Sequence, residues 1–199
     1  LVFAYMGPSE NKPAFPLFDT FDMPGYVSEP RAQPEWPCNW LQMRENAMDP
    51  VHLRFLHTMA GNVGFSEDFT LMSELDYMET PVGMVYIDTR RVGNTIWVRV
   101  SDIMLPTIHQ GCDLGQDLAG RDGNRPTISI WMVPVDDTHT VQYAYYRVHE
   151  GEEFNRAGTF GQTPDRPYEE RQRTPGDYDA QTSQRPIEIH ALEHLATTD

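Results

Sequence analysis

Five stretches dense in β-branched, aromatic and other apolar residues follow one another through the middle of the chain: Phe69 to Met78, Met84 to Arg91, Thr95 to Leu105, Thr127 to Val135 and Thr140 to Val148. No other feature limits the fold as much. Each is of strand length, and the separators Thr80-Pro81-Val82-Gly83, Val92-Gly93-Asn94 and Asp136-Asp137 are too short for the crossover that a parallel pair needs. They read as hairpins, so the sheet they predict is antiparallel. A longer Gly- and Asp-rich stretch, Gly111 to Asn124, divides the third run from the fourth.

The flanks have a different character. Residues 9 to 37 follow Pro8 and carry Pro13, Pro16, Pro24, Pro30, Pro34 and Pro37, a density that excludes regular helix and predicts an extended linker lying on the body. From Cys38 to Met59 the apolar positions are spaced more like a helix than a strand, and Pro50 predicts a kink or restart there. Gly61 to Gly64 reads as a turn. Beyond the sheet, Glu150 to Arg185 is polar and rich in Gly, Pro, Gln and Arg, which reads as a long functional loop, an interface arm or a disordered segment. Ile187 to Leu195 has helical or turn-like character. Both ends are abrupt: Leu1 to Pro8 is a strand-like run with no initiator methionine, and Leu195-Ala196-Thr197-Thr198-Asp199 carries residues that cap a helix start. The chain therefore reads as a piece of a longer polypeptide, and it shows no internal repeat.

With 199 residues the chain is long enough to close a core of its own as one globular domain. Its formal net charge of −15 at pH 7 disfavours nucleic acid and anionic membranes as partners. No apolar run approaches the roughly 20 residues of a membrane span, and no signal-peptide pattern is present, so a cytoplasmic location is expected. Cys38 and Cys112 form no metal-type pair, and a chain of this size needs no disulfide framework.

The densest cluster of ligand-type residues lies in Glu45-Asn46-Ala47-Met48-Asp49-Pro50-Val51-His52-Leu53-Arg54-Phe55-Leu56-His57, with the skeleton N-x-x-D-x-x-H-x-x-x-x-H. Two imidazoles suit iron, zinc, copper or nickel, and two His with one carboxylate and open positions suit Fe(II) that binds dioxygen. On a straight α-helix residues five apart diverge by roughly 140°, so both rings reach one ion only if the helix bends. Asp49, three residues before His52, shares its face and either ligates or orients an imidazole. The same residues also fit two satisfied polar histidines on a half-buried helix. The motifs H-E-x-x-H, G-x-S-x-G, G-x-x-x-x-G-K-[ST] and G-x-G-x-x-G are all absent.

Cys38-Asn39-Trp40-Leu41-Gln42, followed by Glu45-Asn46, Asp49, His52 and His57, resembles the catalytic domain of the α subunit of Rieske-type non-haem iron ring-hydroxylating oxygenases, in the phthalate dioxygenase-like group. The likeness extends to Leu1 to Pro8 as the strand leaving the Rieske domain. It also covers the turn Val133-Pro134-Val135-Asp136-Asp137-Thr138-His139-Thr140, and Glu193-His194-Leu195-Ala196-Thr197-Thr198-Asp199 as the start of a final helix, with Asp199 as its N-cap. The resemblance implies an α+β fold, a twisted antiparallel sheet around a helix in the helix-grip arrangement of Bet v 1-like (START-like) domains. It implies domain bounds of 1–8 for the tail of an upstream Rieske domain, 9–37 for the linker and 38–199 for the iron domain.

The same resemblance implies that His52 and His57 ligate a mononuclear Fe(II), with Asp177 as third ligand and Asp179 as runner-up. Asp49 would bridge toward the neighbouring subunit's cluster, and Asn46 would lie near the iron without being a firm ligand. The [2Fe–2S] cluster would lie outside these residues, which hold neither C-x-H nor C-x-x-H. Implied partners are dioxygen, a reductase fed by NAD(P)H, with or without a ferredoxin, two further copies in a homotrimer, and an aromatic substrate. Dihydroxylation, monohydroxylation and oxidative O- or N-demethylation share these residues; a metal-free Bet v 1-like binding module and a closed structural zinc site are the readings from other classes. Trp97, Trp131, Phe55 and Met84 are candidates for an apolar pocket wall, and Arg54, Arg90, Arg91 and Arg99 for a substrate carboxylate, which points to an aromatic acid. His109, His139, His149, His190 and His194 are expected at the surface or an interface.

Overall fold

The computed structural model describes residues 2–60, 67–111, 126–151 and 164–195. Among these residues seven strands form a single sheet: β1 (Tyr26–Trp36), β2 (Glu74–Thr80), β3 (Gly83–Val92), β4 (Thr95–Met104), β5 (Ile108–Gly111), β6 (Ile128–Asp136) and β7 (His139–His149). The order across the sheet is β1-β7-β6-β5-β4-β3-β2, and every neighbouring pair is antiparallel. With helices α1 (Trp40–Met48), α2 (Tyr168–Arg173) and α3 (Asp177–Ser183), this is the α+β class expected.

The hairpins explain the glycines. β2 turns into β3 at Thr80↔Gly83, where Gly83 has φ +155° and a Cβ would collide with the Ile103 carbonyl oxygen. The β3–β4 turn uses Gly93 at φ +60°, a left-handed conformation that costs glycine little.

The structure departs from the sequence-based expectations in four places. Residues 26–36 of the proline-rich segment are extended as expected, but they enter the sheet as strand β1, paired with β7, instead of only lying on the body. Pro30 and Pro34 are tolerated because β1 is an edge strand, and the ladder shifts register between Ala32 and Glu35. Strand β5 lies in the gap between two predicted runs. The polar segment after Glu150 contains α2 and α3 rather than loop alone. Residues 2–8, read as strand-like, join no ladder among the described residues.

A core of Trp36, Cys38, Met43, Met132 and Tyr178 joins β1, α1, β6 and α3. The Trp36 and Tyr178 rings meet edge to face at 5.3 Å, which fixes the start of α3 against the sheet. Cys38 is a free thiol; burial raises its pKa to about 11, which makes it inert packing. Cys112, the 61–64 turn and residues 197–199 fall outside the described residues. No helix among the described residues is long and apolar enough to cross a membrane.

Candidate metal centre

The first half of the site is built where α1 ends. Asn39 caps α1, its side chain accepting the Leu41 N–H at 2.9 Å. Pro50 ends the helix, and Asp49 starts the next one: its Oδ1 accepts the Val51 N–H at 2.7 Å and its Oδ2 the His52 N–H at 3.2 Å. The restart expected near Pro50 is present.

The restarted segment, Leu53–Ala60, is a π-helix. In π winding the hydrogen-bond partner is five residues away, so side chains five apart come to one side without any bend of the axis. The predicted bend is thus replaced by a wider turn. His52 stands at its threshold and His57 within it, with ring centroids 5.2 Å apart and an edge-to-face tilt of 61°.

The second half is Asp177, the first residue of α3, behind Gly176 in extended conformation. Its Oδ1 lies 3.0 Å from His57 Nε2 and 3.5 Å from His52 Nε2. Metal-type donor atoms of His52, His57 and Asp177 all fall within 4.8 Å of one another, and no other such group of three or more is found among the described residues. The Asn46 amide hydrogen-bonds the Asp177 carboxylate. His52 Nδ1 donates to the Asp49 carbonyl, which leaves Nε2 to face the centre.

Asp179 is oriented elsewhere. Arg166 Nη2 donates to its Oδ2 and Arg171 Nε to its Oδ1, both at 2.5 Å, and the Gly176 N–H adds a bond to Oδ2 at 3.1 Å. Both oxygens are engaged in holding α2 against α3. Gln42 sets the distance between the halves. It donates to the carbonyls of Gln181 (3.2 Å) and Arg185 (3.0 Å) and accepts the Glu188 N–H at 3.1 Å. Sequence reasoning quoted Gln42 only as part of a motif and missed Arg166 and Arg171, for which no periodicity gives a signal.

The electrostatics favour a cation at the centre. Burial pushes the Asp177 carboxyl up, but the bond and charge of His57, the charge of His52 and the Asn46 bond outweigh it and hold the carboxyl below its ordinary value. Burial disfavours protonated His52, yet the bond to Asp49 and the charges of Asp177 and Asp49 leave its pKa raised. Burial likewise acts to raise Asp49, whose pKa is nonetheless lowered by the His52 bond and charge and by two backbone N–H groups. Two imidazole nitrogens and one carboxylate, converging on one point, with the far nitrogen of His52 bonded to the Asp49 carbonyl and the carboxylate bonded by Asn46, are a donor set that fits a divalent iron, zinc or similar ion. The group counts three residues, whereas a closed structural zinc site takes four.

Other candidates fall in varied places. Arg90 and Arg99 are buried, Arg91 is exposed and Arg54 half-buried. Trp131 is buried; Trp97 and Met84 are half-buried. Phe55 is 50% exposed. His139, His149, His190 and His194 are at or near the surface, but His109 is only 7% exposed, because β5 turns it onto the same inward face as Ile103.

No family model matches the chain. It is 36% identical over 225 aligned residues to the oxygenase subunit of tert-butanol monooxygenase / tert-amyl alcohol desaturase from Aquincola tertiaricarbonis, an alignment covering 100% of this chain and 47% of that protein. It is 29% identical over 232 aligned residues to phenoxybenzoate dioxygenase subunit alpha from Ectopseudomonas oleovorans, covering 100% of the chain and 51% of the relative. The chain thus spans about half the length of these relatives. The crystal structure of dicamba monooxygenase bound to 3,6-dichlorosalicylic acid aligns with a TM-score of 0.49 at 13% identity, covering 69% of this chain and 44% of that one. The chain is thus similar along its whole length to part of two Rieske-type oxygenase subunits, one of a monooxygenase and one of a dioxygenase.

Proposed function

We propose that the chain is the catalytic domain of a Rieske-type oxygenase, in which His52, His57 and Asp177 hold a mononuclear Fe(II) for hydroxylation of an aromatic acid. The observation that carries this reading is the convergence of both Nε2 atoms on one carboxylate oxygen, at 3.0 and 3.5 Å. When bound, the iron supplies the open coordination positions at which dioxygen is activated. The protein's part is positional. The Asp49 carbonyl holds the His52 ring by its Nδ1, Asn46 orients the Asp177 carboxylate, and Gln42 fixes α3 against α1.

Asp49 is half-exposed at the junction of the two helices, a position suited to a hydrogen bond from a neighbouring subunit as well as to orienting His52. The [2Fe–2S] cluster, the reductase, with or without a ferredoxin, and two further copies in a homotrimer belong to the same reading, as do residues 1–8 as the tail of a cluster domain. The name of one relative, a phenoxybenzoate dioxygenase, supports an aromatic carboxylate as substrate. Oxidative demethylation uses the same residues.

Anaerobic reconstitution with Fe(II), followed by iron and zinc quantification, tests the site. About one iron per chain is expected, lost in Asp177→Ala and retained in Asp179→Ala. Full iron content in both His52→Ala and His57→Ala would refute the assignment.

A further inference from the structure

The face of the sheet turned away from α1 and α3 carries a cavity that the metal centre does not use. Ile130 and Met132 of β6 pack toward the helices, so Trp131 between them points to the opposite face, and its pairing partner Ile108 of β5 points with it. The chain before β1 crosses this face and is fastened there. Arg147 of β7 donates from Nε to the Thr20 carbonyl (2.5 Å), and from Nη2 to Thr20 Oγ1 (2.8 Å) and Ser129 Oγ (2.7 Å). Phe21 adds ring contacts with Trp131 at 6.3 Å and Tyr145 at 5.8 Å.

Between this strap and the sheet lies a cavity of about 510 Å³, within the size range of small-molecule sites. Its floor is Ile108 and Trp131, and its walls include Phe3, Tyr5, Phe15 and Phe18. The rings are splayed rather than stacked: Phe3 meets Phe15 at 4.9 Å and 61°, and Trp131 at 5.4 Å and 64°. They frame a slot instead of filling it. Trp131 is buried, whereas Phe3, Tyr5 and Phe15 are 40–47% exposed, so a flat guest between them takes apolar ring surface out of water. Lys12, also exposed, lines the same cavity. It is the only lysine of the 199 residues, beside fourteen arginines, in a chain of net charge −15. Among the described residues that line the cavity none is acidic, so the ammonium has no carboxylate there to neutralise it. A point charge with three N–H donors beside aromatic walls selects a guest that is both flat and negative.

We propose that this cavity is a binding site for a small, flat aromatic anion, with the ring of the guest between Phe3, Phe15 and Trp131 and its anionic group on Lys12. The site lies across the sheet from His52, His57 and Asp177 and stands independently of the oxygenase reading.

The test uses the uniqueness of Lys12: its acetylation by acetic anhydride in the iron-free chain is followed by peptide mass spectrometry, with free Nα-acetyl-lysine in the same tube as an internal standard. With about 2 mM 2-naphthoate the reaction at Lys12 should slow about threefold relative to the standard, which is two-thirds occupancy of a site with a Kd of about 1 mM. Acetate at the same concentration, the charge without the ring, should leave the rate within about 20% of its starting value, because one exposed ion pair is worth little. Phe15→Ala removes a half-exposed ring and should weaken 2-naphthoate about fivefold, the size of one aromatic contact, which cuts the protection below about 1.5-fold. By calorimetry, Lys12→Met should weaken 2-naphthoate by about two- to fivefold, whereas Lys12→Arg should stay within about twofold of the parent. His57→Ala should protect Lys12 as the parent does. Unprotected Lys12, equal protection by acetate, or protection unchanged in Phe15→Ala overturns the site. Protection lost in His57→Ala overturns it too, because the probe then binds at the metal centre.

Discussion

His109 gives the chain a pH dependence whose size follows from its surroundings. Burial, with the nearby charges of Arg99 and Arg44, pushes its pKa from the ordinary 6.5 down to about 3. The folded chain therefore refuses a proton that the unfolded chain accepts, and stability falls as pH drops below 6.5. The loss ends only near pH 3, where the folded form also titrates. At 1.36 kcal/mol per pH unit, the loss is about 2 kcal/mol by pH 5 and approaches about 5 kcal/mol near pH 3. The perturbation is His109→Gln, which keeps a polar side chain of similar length and removes the titration. Urea unfolding of both proteins at pH 7 and pH 5 provides the measurement, and the many carboxylates common to both cancel in the difference. The stability of the parent relative to the variant should fall by about 2 kcal/mol between those two pH values. A difference that stays constant within about 0.5 kcal/mol would show that His109 titrates normally and refute the burial argument.

His52→Ala and His57→Ala should each abolish iron binding, while thermal unfolding shows a loss of only about 1–3 kcal/mol, the usual range for one core truncation. Asp179→Ala should leave iron content intact but cost about 3 kcal/mol in urea unfolding, because it strands Arg166 and Arg171 beside the start of α3. Asp49→Ala keeps the backbone carbonyl that holds the His52 ring, so iron affinity should change by less than about tenfold, while stability falls by about 1 kcal/mol through the lost cap, both readable in one metal-dependent melting series.

Much of the sheet was legible because β3, β4, β6 and β7 have strand-like composition and hairpin separators. β1 was hidden by its prolines, which an edge strand tolerates on its unpaired side. β5 was hidden by brevity and by the polar residues His109 and Gln110, buried where a pattern reader expects apolar ones. α2 was missed because ion pairs to Asp179, rather than an apolar face, hold it against α3. At the site, Asn46, Asp49, His52 and His57 stood out because they are close in sequence. Asp177 came from family resemblance, helped only by the Gly176-Asp177 step as a plausible helix start. The difference between it and Asp179 is tertiary: one faces the imidazoles and the other faces two guanidinium groups.

The π-helix that brings His52 and His57 to one side imposes a constraint of length rather than of composition. Substitutions along Leu53–Ala60 alter packing, but the five-residue spacing of the two histidines and the wide winding between them are matched to each other, since ordinary α winding would set them about 140° apart. Inserting one residue between them makes the spacing six, which neither winding brings to one side, and His57 would leave the centre although every ligand type was still encoded. This segment should therefore tolerate exchanged letters far better than a changed count.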